Sequence, residues 1–254
     1  MFGMNKLNLV DFDGAIQYID KTGCGVVYPL SIAEMMQSGD IFTSRHSALF
    51  WHYSGFAFIY GDYNEHFLNS VYGLFLSEDC EISRRFILFV ADEKVKEFFL
   101  TKDRIILEKR YFFEYQKGVL SNNRVLPANL KICEINNDLF DKIQGNVTPL
   151  FSWCNSTEFL KNGKGYCIVD GEIVAAWAFT AAISSDEIDI GVETRSDYRY
   201  LGLGTIVAEK MIQYCLQQHK RPVWACHSNN MASQRLANKI GFAKATECYT
   251  IRKS

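Results

Sequence analysis

An arginine and two glycines stand directly before a predicted helix, in the stretch SDYRYLGLGTIVAEKMIQYC at 196–215. Glycine inside a helix costs roughly 1 kcal/mol relative to alanine, so two glycines at a helix start need another explanation. The backbone N–H groups at a helix N-terminus lack internal partners and carry partial positive charge, which makes them a binding site for anions. The pattern Arg199-x-x-Gly202-x-Gly204 therefore predicts a loop that binds an anionic group such as a phosphate.

Two common phosphate-binding motifs do not fit this loop. A P-loop has a Lys-Ser or Lys-Thr pair after its second glycine, whereas Thr205 and Ile206 follow Gly204 here. A dinucleotide-binding fingerprint has glycine or alanine at a third position, followed by an acidic residue at the end of the next strand. Val207 occupies that third position, and the next apolar run ends in WACHSN. Both interpretations are therefore poor.

The residues around the loop predict the elements that position it. The stretch 165–181 is a predicted β-hairpin, because Asp170-Gly171 supplies the two positive-φ positions of a type I′ turn. Further strands are expected at 187–194, 222–226 and 248–252, and further helices directly after the loop and at 233–241. Gly191 either marks a bulge, where strand 187–194 parts from strand 222–226, or fills a packing gap.

This order of elements, with the Arg-x-x-Gly-x-Gly loop inside it, resembles the GNAT superfamily of acyl-CoA-dependent N-acyltransferases. The resemblance covers roughly residues 126–254. It extends to the final helix, where the superfamily spacing is matched by Asn230, Ser233, Leu236, Lys239 and Gly241-Phe242. The Pro-x-Trp start and the RLANKIGF end of this region look most like the branch that contains zwittermicin-resistance-type acetyltransferases.

The resemblance implies acetyl-CoA as the acyl donor and no metal. The loop would bind the coenzyme A pyrophosphate, and the strand before it would pair with the pantetheine arm and offer a backbone N–H near Val192 to the oxyanion. Asn230 would contact the pantetheine, cap the final helix, or do both. The residues expected to bind the cofactor are Val192, Thr194, Arg199, Tyr200, Leu201, Gly202, Leu203, Gly204, Thr205, Asn230 and Ser233.

Acyl transfer to an amine needs a base for the ammonium proton, donors for the oxyanion and a proton or donor for the leaving thiolate. Glu193, at the end of its strand, is the first candidate base, and His227 is the second; each could instead be a structural residue. Ala237 stands where many superfamily members have a tyrosine acid. Ser233, Tyr249 or water therefore remain as candidate donors. Direct attack of the amine on the thioester fits better than a covalent intermediate on Cys226.

The first half of the chain is rich in aromatic residues and carries no motif of this kind. Helices are predicted at 16–23, 30–39, 64–76 and 93–101, and strands at 56–61, 84–92 and 104–116. A polar stretch at 118–129, which contains Pro127, indicates a boundary. We expect an α/β (α+β) protein with an N-terminal α/β domain at 1–125, which would shape the acceptor site. A GNAT-like catalytic domain with a mixed, mostly antiparallel sheet flanked by helices would follow at 126–254.

The composition of the chain argues against several classes of binding partner. The net charge of −2 over 254 residues argues against nucleic acid as the main partner. The chain contains no run of about 18 apolar residues, so no membrane span is predicted. The eight cysteines include no Cys-x-x-Cys pair, which argues against a zinc site and favours a reduced, cytoplasmic protein. The acceptor is expected to be a small-molecule primary amine, and the oligomeric state stays open.

The sequence thus predicts transfer of an acetyl group from acetyl-CoA to an amine. Two alternatives belong to other classes. One is an acyl-CoA-binding sensor or regulatory module that does not turn over, which the missing tyrosine favours. The other is a regulatory module that uses the same loop to bind ATP or NAD.

Overall fold

The computed structural model describes residues 3–80, 82–117 and 126–254. The chain forms two compact units, and each combines separate segments of the sequence. Unit 1 comprises residues 1–112, 227–229 and 246–254, and unit 2 comprises residues 113–226 and 230–245. The division into functional domains at 1–125 and 126–254 stays a prediction, and residues 118–125 lie outside the described residues.

Unit 1 is a sheet of mostly antiparallel strands with helices in its connections. In chain order it contains β1 (Asn5–Lys6), 3₁₀ turns at Leu9–Asp11 and Asp13–Tyr18, α1 (Val27–Ala33), β2 (Gly39–Ser44), β3 (Ser47–His52), β4 (Phe56–Gly61), α2 (Glu65–Val71) with a π-helical turn at Tyr72–Leu76, β5 (Ile87–Val90), α3 (Glu93–Leu100) and most of β6 (Ile105–Tyr115). Strands β2, β3 and β4 pair antiparallel, whereas β4 and β5 pair parallel from Phe56↔Ile87 to Phe58↔Phe89.

Unit 2 has the same kind of architecture. Its elements are β7 (Leu130–Glu134), α4 (Asn137–Lys142), α5 (Pro149–Ser152), α6 (Ser156–Asn162), β8 (Gly165–Asp170), β9 (Ile173–Ile183), β10 (Glu187–Thr194), a 3₁₀ turn at Ser196–Tyr198, α7 (Leu203–Gln217), β11 (Arg221–His227), α8 (Met231–Lys239) and the start of β12 (Phe242–Lys253). The strand order is β11-β10-β9-β8-β7. Only β10 and β11 pair parallel within that order.

The two units repeat one topology. In each, antiparallel strands lead to a helix, a parallel strand, a second helix and a final strand: β3-β4-α2-β5-α3-β6 and β9-β10-α7-β11-α8-β12. The end of β12 completes unit 1 by pairing antiparallel with β5, from Tyr249↔Val90 to Ile251↔Leu88. The predicted fold class, a mostly antiparallel sheet with helices on its connections, is confirmed.

Burial explains why these segments form these elements. In unit 2, α7 turns Val207, Met211, Ile212 and Cys215 inward, and this apolar face packs against β9 and β10. In unit 1, aromatic side chains fill the core around β3, β4 and β5, and Phe58 and Phe89 stack with ring centroids 4.7 Å apart. Among the described residues, no helix has both the length and the apolar character that crossing a membrane requires.

In the second half, the type I′ turn predicted at Asp170-Gly171 is wrong: Asp170 ends β8 without a positive φ, and Gly171 and Glu172 form the turn. The first half contains most of the other errors of the sequence predictions. The helix predicted at 16–23 is instead the 3₁₀ segment Asp13–Tyr18. The helix predicted at 30–39 begins and ends earlier, at Val27–Ala33, and Gly39 starts β2. Strands β2 and β3 were not predicted.

Candidate active site

The loop between β10 and α7 exposes unpaired backbone N–H groups. Tyr200 and Gly202 adopt positive φ angles of 66° and 76°, and α7 begins at Leu203 without a side-chain cap. The N–H groups of Thr205 and Ile206 both donate to the Gly202 carbonyl, at 3.1 and 3.3 Å. Within the described part of the chain, no acceptor pairs with the N–H groups of residues 200–204. This arrangement suits an anion at the helix start.

Five other helix starts are closed by side chains, whereas α1 and α5, like α7, have no side-chain cap. Asn64 Oδ1 accepts the N–H of Phe67 at the start of α2, the helix that takes the place of α7 in unit 1. Helices α3, α4, α6 and α8 are also capped by Asp or Asn side chains. The first N–H groups of α7, the longest of the described helices, therefore have no side-chain acceptor, whereas each of these five helices has one.

The two glycines of the loop serve different purposes. At Gly202 an added Cβ would meet nothing within 4 Å, so the requirement is the positive φ alone. At Gly204 an added Cβ would lie 2.9 Å from Thr194 Oγ1, so this glycine allows the helix start to approach the end of β10. Leu203 and Thr205 are buried. They can therefore offer mainly backbone groups to a ligand.

Strand β10 parts from β11 beside this loop. The parallel pairing runs from Glu187↔Arg221 to Asp189↔Val223 and ends there, while β10 stays paired with β9 as far as Thr194↔Ala176. The N–H of Arg195 donates to the Ala175 carbonyl at 2.9 Å. Because backbone groups alternate along an antiparallel pair, those of Val192 and Thr194 point away from β9. The N–H of Val192 thus lies on the edge that β11 leaves open.

Gly191 has a packing role. The register shift in β10 falls between Asp189 and Ile190, just before it. An added Cβ at Gly191 would lie 2.7 Å from the ring of Phe179. Of the two interpretations of this glycine, the close contact with a neighbouring side chain accounts for it.

Glu193 connects the loop at 145–147 to the end of β10 by hydrogen bonds. Its Oε2 accepts the N–H groups of Asn146 and Val147 at 2.8 and 2.7 Å. The indole N–H of Trp177 donates to the Val147 carbonyl at 2.7 Å, and a side chain at Gly145 would collide with Glu193 Oε2. Oε1 has no partner among the described residues. One carboxylate oxygen is thus structural, and the other remains available for chemistry.

Ser233 carries a hydroxyl that is free to donate. Asn230 Oδ1 accepts the N–H of Ser233 at 3.1 Å, so Asn230 caps α8 as expected. The indole N–H of Trp224 donates to Ser233 Oγ at 2.9 Å. Because that bond uses a lone pair of Oγ, the hydroxyl proton can be directed elsewhere.

The other two catalytic candidates lie in unit 1. His227 is surrounded by charged groups, and burial, followed by the charge of Arg110, lowers its pKa. Tyr249, on β12, has Lys96 Nζ 4.5 Å and Lys109 Nζ 5.3 Å from its ring centroid. Unit 2 therefore brings together Val192, Glu193, Ser233 and the loop, whereas His227 and Tyr249 belong to the other unit.

Sequence reasoning missed the loop at 145–147 as part of this site. Its contact with Glu193 spans 46 and 47 residues, and only Gly145 gives a local sign of a close approach. No group of three or more His, Cys, Asp or Glu side chains that could hold a metal ion occurs in the ranges that the structure describes.

Comparison with known proteins assigns the fold and the family. A family model described as GNAT acetyltransferase matches residues 26–251. The uncharacterized N-acetyltransferase YdfB of Bacillus subtilis (strain 168) is 28% identical over 204 residues, which cover 78% of this chain and 77% of YdfB.

Two solved structures share the fold over nearly the whole chain. A GCN5-related N-acetyltransferase-like protein from Streptococcus suis 89/1591 has a TM-score of 0.74 at 20% identity, covering 97% of this chain and 100% of that one. A tandem GNAT protein from the clavulanic acid biosynthesis pathway has a TM-score of 0.61 at 10% identity, covering 98% of each chain. These likenesses show the fold, and the family model shows more: the chain belongs to the GNAT acetyltransferase family.

Proposed function

We propose that unit 2 catalyses transfer of an acetyl group from acetyl-CoA to a primary amine of a small molecule. The observation that carries this proposal is the open N-terminus of α7, with unpaired N–H groups at residues 200–204, beside the part of β10 that β11 leaves unpaired. The first feature fits the coenzyme A pyrophosphate and the second fits the peptide-like pantetheine arm. Arg199, at the start of this loop, would meet a phosphate oxygen.

The residues of unit 2 fit the steps of the reaction. Glu193 Oε1 takes a proton from the ammonium group, directly or through water, because only about 0.1% of an alkylamine with a pKa near 10 is neutral at pH 7. The amine nitrogen attacks the thioester carbon, and the Val192 N–H stabilises the oxyanion. The C–S bond then breaks, and the nitrogen loses its second proton, which reaches the thiolate through the Ser233 hydroxyl or through water, so that the hydroxyl is restored. The proton held by Glu193 is released to solvent.

The remaining parts of the proposal rest on the sequence. His227 as a second base, Tyr249 as an acid and an acceptor-shaping role for residues 1–125 stay predictions. The likeness of PVW and RLANKIGF to the zwittermicin-resistance branch favours a cationic, antibiotic-like amine as the acceptor.

Two structural observations favour the alternative of an acyl-CoA-binding sensor without turnover. Glu193 Oε2 is already occupied by the N–H groups of Asn146 and Val147. Ala237 is buried and brings no acid to α8. A sensor would bind acetyl-CoA and release no coenzyme A with any amine.

Calorimetric titration with acetyl-CoA, with ATP and NAD as controls, tests the cofactor site. Gly202→Val forces a β-branched residue into a positive φ and places a side chain over the loop N–H groups. We expect the Kd for acetyl-CoA to rise at least ten-fold, a loss of about 1.4 kcal/mol. Gly171→Val is the matched control, because Gly171 also has a positive φ, of 57°, and open space around it. Unchanged binding by a folded Gly202→Val protein would remove the loop from the site.

Turnover with an amine panel tests the base. The acetylated amine is detected by mass spectrometry, because a thiol reagent for released coenzyme A would also react with the protein's own cysteines. We expect Glu193→Gln to lower turnover at least ten-fold with little change in the Kd for acetyl-CoA, since the amide oxygen can still accept the loop N–H groups. Wild-type turnover in this variant across pH 6–9 would mean that Glu193 is not the base.

A further inference from the structure

A pocket in unit 1, separate from the loop of unit 2, is lined by a concentration of cationic side chains. Its volume is about 540 Å³, which is in the range of small-molecule sites. Arg84, Arg85, Arg252, Lys253 and His227 line it, and Glu108 is the only carboxylate among its described lining residues. Phe75, Ile82, Phe86 and Ile87 provide an apolar wall.

Two arginines, of which Arg85 lines the pocket, lie near the same aromatic ring. The guanidinium carbons of Arg85 and Arg110 lie 5.2 and 5.3 Å from the centroid of the same Phe56 ring. Burial and the charge of Arg110 lower the pKa of Arg85 to about 10, so the Arg85 guanidinium remains charged at neutral pH. Arg110 Nε is buried and has no hydrogen-bond partner among the described residues. Like charges and an unpaired buried donor both destabilise the protein unless an anion balances them.

The single carboxylate does not balance the group. Glu108 Oε2 accepts from Arg252 Nε at 3.0 Å, and this bond is the main reason why the pKa of Glu108 is lowered. Arg84 pairs separately with Asp40, at 2.7 Å. Lys253 Nζ donates to the backbone carbonyls of Ser77 and Glu78, which carry no formal charge. Among the described residues that line the pocket, cationic side chains therefore outnumber carboxylates.

We propose that this pocket binds a small organic anion, with its carboxylate or phosphate group at Arg85 and Arg252 and its apolar part against Phe75 and Phe86. Guanidinium groups match the planar or tetrahedral oxygens of such anions with paired N–H donors. The imidazole of His227 contributes one further donor. The proposal does not depend on acetyl transfer in unit 2.

Binding of phenyl phosphate and phenylacetate, measured by calorimetry and thermal shift, tests the site, with benzylamine as a cationic control. We expect a Kd below 1 mM for at least one of the anions, and the comparison shows which anionic group is preferred. Arg85→Gln should weaken binding at least ten-fold, whereas Glu108→Gln should strengthen it, because the competing carboxylate is removed. Arg45→Gln, at an exposed turn of unit 1, is the matched control and should change nothing.

Three outcomes would overturn the proposal: no binding of either anion, equal binding by wild type and Arg85→Gln, or displacement of the anion by saturating acetyl-CoA. Displacement would assign the pocket to the cofactor. If Arg85→Gln does not fold, Arg252→Gln is tested in the Glu108→Gln background, so that no carboxylate loses its partner, and the double variant should bind at least ten-fold more weakly than Glu108→Gln alone. These measurements need no turnover, so their failure is distinguishable from failure of the acetyltransferase proposal.

Discussion

Burial of His52 in β3 should make the stability of the protein depend on pH. The side chain is fully buried, and its Nδ1 accepts the backbone N–H of Ser54 at 3.1 Å. The ring proton is therefore on Nε2, which has no partner among the described residues. Burial in the first place, and the charge of Arg84 in the second, lower the pKa of His52 to about 3.

The size and sign of the effect follow from this pKa. An unfolded chain binds a proton at histidine below a pH of about 6.5, whereas folded His52 stays neutral down to about pH 3. The contribution of neutral His52 to the free energy of unfolding is thus complete above pH 6.5. It is lost as the pH falls from 6.5 to 3, by about 1.4 kcal/mol for each pH unit. Between pH 7 and pH 5, His52 alone should lower the free energy of unfolding by about 2 kcal/mol.

Urea unfolding at pH 7, 6 and 5, followed by circular dichroism, measures this loss. His52→Asn is the matched variant, because its side-chain oxygen can still accept the Ser54 N–H while the amide does not titrate. We expect the wild type to lose about 2 kcal/mol more than His52→Asn over this range. Other groups contribute equally to both proteins and cancel in the difference. Equal losses would refute the assignment of the pH dependence to His52.

Two further predictions concern reactive and donor side chains. A hydrogen bond with Cys248 lowers the pKa of Cys24 to about 6, whereas burial raises that of Cys215 to about 12. At pH 7, iodoacetamide should therefore alkylate Cys24 at least ten times faster than Cys215 in the folded protein, as read by peptide mass spectrometry; equal rates would contradict this. Ser233→Ala leaves the Trp224 indole N–H without its acceptor, so we expect a loss of about 1–3 kcal/mol in urea unfolding. Turnover at saturating acetyl-CoA should fall, and normal turnover would exclude Ser233 as the acid.

Most elements of unit 2 could be predicted because their signals are local. The Asp170-Gly171 pair predicts a tight turn, and a two-residue turn forms one position later: Gly171, with a φ of 57°, and Glu172 connect Asp170 to its strand partner Ile173. The alternation in 187–194 predicts β10, and the spacing of apolar residues after Gly202 predicts α7. Each of these signals lies within a dozen residues, so no tertiary contact is needed to interpret it.

The elements of the first half were harder to predict, because a strand that is buried on both faces has no alternation of polar and apolar residues. All six residues of β3, from Ser47 to His52, are buried, so the strand shows no alternation of polar and apolar residues. A short, continuously apolar run of this kind does not distinguish a strand from a buried helix. The segment Asp13–Tyr18 has helical spacing over too few residues for an α-helix and forms a 3₁₀ helix instead.

The chemistry of Glu193 depends on contacts that no local pattern encodes. As a strand-end glutamate it could be a base or a solvated side chain, and the structure adds a third role, as the acceptor of two N–H groups from 146–147. Similarly, Tyr249 is close in sequence to α8, but it belongs to unit 1 because the end of β12 pairs with β5. Both results follow from pairing over long sequence distances.

The repeated topology of the two units allows the helix start of the proposed acetyl-CoA site to be compared with its counterpart in unit 1. At the start of α2, Asn64 Oδ1 already accepts the Phe67 N–H, so an anion would have to displace this hydrogen-bonded side chain. At the start of α7, Gly202 has a positive φ and no side chain that could accept these N–H groups. The same order of strands and helices therefore has an uncapped helix start in unit 2 and a capped one in unit 1. The residue before the helix, Gly202 or Asn64, makes this difference, and under the proposed function it is what allows the start of α7, and not that of α2, to bind the pyrophosphate.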